Sequence, residues 1–385
     1  MLALGLIIPV LPGLVEDFMG GNTARAAEMF GLFGTVWALM QFVFSPVLGT
    51  LSDRVGRRPV ILISNFGLGL DYILMALAPT LSWLFVGRII SGIAGASYTT
   101  AGAYIADVTP PEKRAGGYGL IGAAWGLGFV LGPALGGLLG GINPRLPFWV
   151  AASLTLLNAM YGIFVLPESL PPERRSRFEW RRANPLGSLK LLRSHHELFG
   201  LAGVSLVYFL AHHVLPSVFV LYAGYRYGWG ETTVGLTLAG VGISSIIVQA
   251  VVVKNVVTRF GERTALLTGL LCGVLAFTVY GLAPTGRVFW VGMIPGALMG
   301  LFGPSAMALM TRCINPSEQG QLQGANSSLM GITGLVGPGL FTLTFATFIG
   351  ERADLHLPGA PFLLAATLLL LAAAIAWRVT RPASP

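Results

Sequence analysis

The sequence predicts an all-α membrane protein, with twelve transmembrane helices in two six-helix pseudo-repeats. Three observations carry that expectation. Only 10% of the 385 residues are charged and 54% are hydrophobic. A soluble domain carries about 25% charged residues, so lipid is the main solvent for this chain. Apolar stretches near the roughly 20 residues needed to cross the hydrocarbon core recur along its length. Short motifs also recur at one fixed offset, which sorts those stretches into two sets.

The first stretch, 1–15, is the anomaly. Fifteen residues rise about 22 Å against a core of about 30 Å, so this span is either truncated at Met1 or does not cross fully. Further spans are expected at 29–51, 59–79, 82–106, 117–141 and 146–167, and then at 198–222, 232–257, 264–283, 287–311, 321–346 and 358–379. The 52 glycines and 24 prolines lie inside these apolar runs and do not argue for disorder. Both residues are commoner in membrane helices than in soluble ones, and glycine lets helices approach closely. Cys272 and Cys313 build neither a disulfide framework nor a metal site. The apolar N-terminus runs on without a small-residue cleavage site, so no cleaved signal is expected.

Lysine and arginine set the orientation. Eighteen of them fall in one set of connections, including Arg54, Arg57, Arg58, Lys113, Arg114 and the seven between Arg174 and Arg193, against five in the opposite set. The richer side is expected to be cytoplasmic, and with twelve spans both termini lie there. The net charge of +8 is then a topology signal and a contact with anionic lipid, not a nucleic-acid footprint.

Asp53-Arg54-Val55-Gly56-Arg57-Arg58 is echoed by Thr258-Arg259-Phe260-Gly261-Glu262-Arg263, an offset of 205 residues. Gly132-Pro133 recurs as Gly337-Pro338, Pro111 as Pro316 and Gly119 as Gly324, all at the same offset. The expected organisation is an N-terminal six-helix bundle, 1–167, a charged cytoplasmic linker, 168–196, and a C-terminal six-helix bundle, 197–385. Parallel halves of this kind put a substrate site near the midplane between them and work by alternating access.

At this point the residues resemble a family. Gly49-x-Leu51-Ser52-Asp53-Arg54-x-Gly56-Arg57-Arg58 resembles the signature loop of the major facilitator superfamily. Gly119-x8-Gly128-x3-Gly132-Pro133-x2-Gly136-Gly137 resembles the motif shared by its drug/proton antiporters. Leu6 to Pro12, Ser52 to Pro59, Asp71-Tyr72, Ala103 to Asp107 and Gln319 to Gly324 look like the tetracycline-resistance efflux branch. The resemblance covers the whole chain. It implies a multi-pass carrier of the bacterial cytoplasmic (inner) membrane that exchanges an exported amphiphilic drug for a proton and acts as a monomer. It also implies that spans 1, 4, 7 and 10 line the cavity. No cofactor is implied beyond the proton gradient, although a tetracycline-like substrate arrives as a magnesium chelate. The chain departs from this branch in three places. The carboxylate that members carry in span 1 would precede Met1, Ser245 stands where the tetracycline pumps have a histidine, and Gly273 stands where they have an aspartate.

Four sets of residues are candidates for the mechanism. Asp71 lies about twelve residues into span 3, where a carboxylate is expensive and functional by default; the alternative is a static salt bridge. Arg88 cannot lose its proton and can hold an anion or a carboxylate. The resemblance ties it to proton coupling, and the alternative is an ion pair with Asp71 or a snorkelling arginine. Their repeat counterparts are Ala276 and Met293, so any such role belongs to the N-terminal half. His212 and His213 precede Pro216 in span 7 and titrate near physiological pH, so they serve proton coupling or helix packing. Adjacent positions point about 100° apart, so one of them at most faces a cavity.

The second set is a cytoplasmic gating motif of Gly49, Asp53, Arg54, Gly56, Arg57, Arg58 and Asp107. It forms charge pairs in one access state and breaks them in the other, unless the arginines only fix topology. Third, Gly128, Gly132, Pro133, Gly136 and Gly137 let span 5 press against a neighbour. Fourth, Trp37, Gln41, Tyr72, Tyr98, Trp125, Gln249 and Asn326 are candidate substrate contacts in a mostly apolar pocket. An ATP-driven pump would need a Gly-x4-Gly-Lys-Ser/Thr loop, which the sequence lacks, and no nucleophile–base set suggests an enzyme. A proton-coupled symporter of a nutrient or metabolite stands as the alternative on the same fold.

Spans 7 to 12 hold no embedded Asp or Glu, so coupling must use Asp71, a histidine, or the carboxylate ahead of Met1. Adding an aspartate just before Met1 is expected to raise proton-coupled activity in vesicles, and no gain would count against this account.

Overall fold

The computed structural model describes residues 1–110, 113–176, 187–193, 196–315 and 318–381. Pro111 and Pro316 of the repeat, and linker residues 177–186 and 194–195, lie outside them. The chain is an all-α membrane protein. Sixteen α-helices are described: α1 (Leu2–Ile7), α2 (Leu11–Phe18), α3 (Thr23–Val55), α4 (Arg57–Leu77), α5 (Leu81–Gly95), α6 (Tyr98–Val108), α7 (Arg114–Ile142), α8 (Leu146–Val165), α9 (His196–His212), α10 (Val214–Tyr227), α11 (Glu231–Ile247), α12 (Val253–Leu282), α13 (Gly286–Leu298), α14 (Phe302–Arg312), α15 (Gln319–Ile349) and α16 (Ala360–Val379).

Among the described residues, nine helical stretches are long and apolar enough to cross a membrane. One of them, Glu231–Leu282, holds two expected spans. It is divided at Gly261, whose φ of 79° and ψ of 163° no helix accommodates. Expected spans 1 and 4 are missing from the nine because each is two short helices, α1 with α2 and α5 with α6, parted by two or three residues outside either helix. Each of the twelve expected spans therefore has a helical counterpart.

Four spans expected to be continuous are interrupted. Span 1 breaks at 8–10, span 4 at Ala96 and Ser97, span 7 at His213 and span 10 at the 3-10 turn Met299–Leu301. The 205-residue offset carries the break at 8 onto 213 and that at 96 onto 301, so the interruptions are a property of the repeat. In span 7 the cause is local. Pro216 has no N–H for the carbonyl of His212, and its ring crowds that turn. His212 thus ends one helix and His213 precedes the next, which corrects the expectation that they share a continuous helix 100° apart.

By its contacts the chain divides into two compact units. One holds Met1–Gly21, Phe33–Pro185 and Gly230–Ala239, and the other holds Asn22–Leu32, Leu186–Trp229 and Gly240–Pro385. In the first unit α7 packs closely against α1. A Cβ on Gly128 would strike Met1 and Leu2, one on Gly132 would strike the backbone of Gly5, and one on Gly136 the carbonyl of Leu6. These positions are four apart and share one helix face, so α1 lies directly on α7. Gly140 meets Val10 first and then Glu231, while Gly137 and Gly141 face another way, against Glu231, Thr232 and Gly235 at the start of α11. There the Thr232 hydroxyl donates to the Gly137 carbonyl at 3.1 Å.

Each unit closes one helix C-terminus with its own chemistry. Arg145 donates to the carbonyls of Ala76 and Ala78 at 2.7 and 2.9 Å, past the end of α4. At the matching end of α12, the hydroxyls of Tyr222 and Tyr227 donate to the carbonyls of Tyr280 and Ala283 at 2.8 and 3.1 Å. These tyrosines belong to an aromatic cluster with Trp229, Phe289 and Phe362.

A Gly132→Leu variant is expected to lose about 1–3 kcal/mol, the usual cost of overpacking a close contact. Gly122→Leu, where a side chain meets open space, should shift stability by about 0.5 kcal/mol or less. Thermal unfolding in detergent compares the two.

Candidate functional site

Two groups of side chains in the first unit stand out. The first is Asp71 on α4 with Arg88 on α5. Asp71 is 1% exposed, and neither of its carboxylate oxygens has a hydrogen-bond partner. It reaches α5 because residue 87 is glycine: a Cβ there would stand 2.9 Å from Asp71 Oδ1 and 2.6 Å from Met75 Cγ. Arg88 is equally buried. Its Nη2 lies 3.7 Å from the Met75 sulfur, and its Nε has no partner. The two groups attract one another through space but share no hydrogen bond. A structural ion pair inside a bundle would be directly bonded, because an unpaired buried charge is costly. Both Asp71 oxygens lack such a bond. The counterparts Ala276 and Met293 carry no such chemistry.

The second group is the loop between α3 and α4. Gly56 precedes α4 with φ 110° and ψ 156°, a conformation glycine tolerates and side chains do not. Arg57, the first residue of α4, donates from Nη1 to Asp53 at 2.6 Å and to the Ser52 hydroxyl at 2.6 Å, and from Nε to Asp107 at 3.2 Å. Arg58 donates to the Ile163 carbonyl at 2.6 Å. Asp53, Gly56, Arg57 and Asp107 of the expected motif are therefore assembled around one point, while Arg58 reaches away to α8. Arg54 is exposed and outside the set, and Gly49 has open space where a side chain would sit.

Sequence reasoning missed the residue beneath this set. Glu168, just past α8, accepts from the backbone N–H of Arg57 at 2.9 Å and of Leu170 at 3.1 Å. It also occupies the space a Cβ on Gly56 would need. A carboxylate at a helix N-terminus satisfies an orphan donor and the helix dipole together. Around it, Ser169 donates to Asp107 at 3.1 Å and the Ser176 N–H to the Asp53 carbonyl at 3.0 Å, so the first residues after span 6 are part of the loop. The available signal was an isolated acid at the end of an apolar span.

The remaining candidates are dispersed. Tyr98 and Trp125 meet edge-on at 5.9 Å. Trp37 offers its backbone to Gly92, and the Gln41 amide lies beside Gly95 at the break in span 4. At the equivalent break in span 10, Gln249 donates to the Gly300 carbonyl at 3.1 Å from a π-helical turn, Val248–Val252. Tyr72 is buried within the first unit. Asn326 on α15 has its Nδ2 3.9 Å from the Met307 sulfur and an unpartnered Oδ1. His213 is seated against Gly337, where a Cβ would meet its ring, and His212 lies 6.0 Å from the Tyr208 ring.

The family profile described as Major Facilitator Superfamily matches residues 1–338 and 214–385. The chain is 39% identical to the class C tetracycline resistance protein of Escherichia coli, over 89% of this chain and 86% of that one. It is 34% identical to the class D protein of Salmonella ordonez, over 99% and 94%. Among solved structures it resembles the nucleoside transporter NupG, with a TM-score of 0.73 and 15% identity over 99% of both chains, a likeness of fold.

A Glu168→Ala change leaves the Arg57 N–H without its acceptor. It is expected to cost about 1–2 kcal/mol, the scale of a lost N-cap, measured by thermal unfolding in detergent.

Proposed function

This chain belongs to the major facilitator superfamily, and from that premise we propose that it is a proton-coupled antiporter exporting tetracycline-like or other amphiphilic drugs by alternating access. It is a multi-pass membrane transporter rather than an enzyme. The observation that carries the reading is identity along nearly the whole chain to proteins named for tetracycline resistance.

In this reading Asp71 takes up and releases the proton. Its buried oxygens have no competing hydrogen bond, so a proton or a substrate group is what they can bind. Arg88, whose guanidinium stays charged, is the fixed positive partner at this site. His212 and His213 offer further titratable groups at the break in span 7. Asp53, Arg57 and Asp107 pair in one access state and separate in the other. The halves 1–167 and 197–385, joined by 168–196, alternate between two access states, and Gln41, Tyr98, Gln249 and Asn326 are candidate polar substrate contacts. The chain acts as a monomer in the bacterial inner membrane with both termini cytoplasmic, and a tetracycline substrate arrives with magnesium.

The test is drug-induced proton movement in proteoliposomes with an imposed pH gradient, using tetracycline with magnesium and then lipophilic cations. Proton flux is expected only when drug is present, and Asp71→Asn is expected to reduce it to the level of empty liposomes. Proton uptake driven by a sugar or acid, with no drug response, would assign a symporter to the same fold.

A further inference from the structure

At one end of the second unit two arginines converge on a single ring. Arg263, in the first turn of α12 past Gly261, has its guanidinium carbon 4.7 Å from the centre of the Trp377 ring, near the end of α16. Arg381, just past that helix, has its own 6.0 Å from the same centre. Arg263 is anchored there. Its Nε donates to the Thr380 hydroxyl at 3.2 Å, and that hydroxyl donates to the Ala376 carbonyl at 2.7 Å. The two Nη groups of Arg263 have no hydrogen-bond partner among the described residues. Neither arginine has a carboxylate partner among them. Glu262, the acid next to Arg263 in the chain, is paired with Arg312 on α14. The first unit uses the same position differently. Arg58, the counterpart of Arg263 at the 205-residue offset, donates to the Ile163 carbonyl near the end of α8.

We propose that Arg263, Arg381 and Trp377 form a binding site for the phosphate of a net-negative phospholipid. A planar guanidinium binds phosphate through paired N–H donors, and one already held by packing loses little freedom in doing so. Trp377 sets the depth of the site. Tryptophan gathers where hydrocarbon meets headgroups, and Trp377 is half-exposed.

The surface beside it fits an acyl chain. Leu370, Ala374 and Trp377 follow at helical spacing on the exposed side of α16, and Arg381 continues the series past its end. Leu271 and Leu275 are exposed on α12, the helix against which α16 packs. An apolar strip ending in an aromatic ring and two cations has the order of a phospholipid, from chain to headgroup. Net charge then selects among lipids. A zwitterionic headgroup brings a third cation to the site, and an anionic one does not. The inference rests on the chain being a membrane protein and not on what it carries.

Lipid selectivity at Trp377 tests the site. The full chain is reconstituted in mixed phosphatidylglycerol and phosphatidylcholine vesicles, with bromine on the acyl chains of one lipid or the other. The part of the tryptophan quenching that disappears in Trp377→Phe reports the lipid beside that ring. Phosphatidylglycerol is expected to be enriched there about fivefold over the bulk bilayer, the scale of one basic residue at an anionic surface. Arg263→Gln or Arg381→Gln should each bring the enrichment to within about twofold of the bulk value. Arg381→Gln leaves Arg263 bonded to Thr380, so its effect does not come from a loosened helix end. Arg259 lies over Phe260 instead, and Arg259→Gln should leave the enrichment in place. Added inorganic phosphate should leave it in place as well. Equal quenching by the two lipids, enrichment that survives loss of both arginines, an equal fall in Arg259→Gln, or displacement by inorganic phosphate would overturn the proposal.

Discussion

Hydrocarbon offers a broken helix no water for its freed carbonyls, and this constraint governs the rest of the structure. Every interruption must be satisfied by neighbouring side chains or by close protein packing. The four interruptions fall in spans 1, 4, 7 and 10, at positions related by the repeat. Polar groups gather at the breaks in spans 4 and 10. The Ser97 hydroxyl donates to the Ala94 carbonyl, Thr99 donates to Ala96, and Gln249 donates to Gly300. Close packing does the same work around span 1, where the glycines of α7 admit the backbone of α1. Irregular backbone deep in a transporter is where substrates and coupling ions are commonly bound.

Both units use one backbone plan and fill it with different chemistry. Arginine closes the end of α4 where tyrosines close the end of α12. Asp71 and Arg88 face alanine and methionine across the repeat, and the ion pairs beside Gly56 and Gly261 have opposite polarity. Backbone shape is shared because the glycines and breaks recur. Charge is not shared.

The fold and much of the site were legible in advance. Apolar length marked the spans, since only a helix buries its own polar groups in lipid. A shared offset marked the halves, and an ionisable residue in an apolar run marked Asp71 and Arg88. The charge pairing of the loop after α3 was legible because glycine and alternating charges in a loop have few other uses. The breaks in spans 4 and 10 were not, because hydropathy averages over the residues where a helix changes direction. Glu168 was missed because its partner is the Arg57 N–H, 111 residues earlier in the chain.

The sequence by itself determined the solvent, the two-fold repeat and the family, since these depend on composition and on spacing along the chain. Only the tertiary structure decided that Asp71 has no hydrogen-bond partner, that Glu168 supports the gating loop, and that Glu262 meets Arg312 with polarity opposite to Arg57 and Asp107. These are relations between side chains on different helices, and their energies depend on distances that no one-dimensional pattern contains.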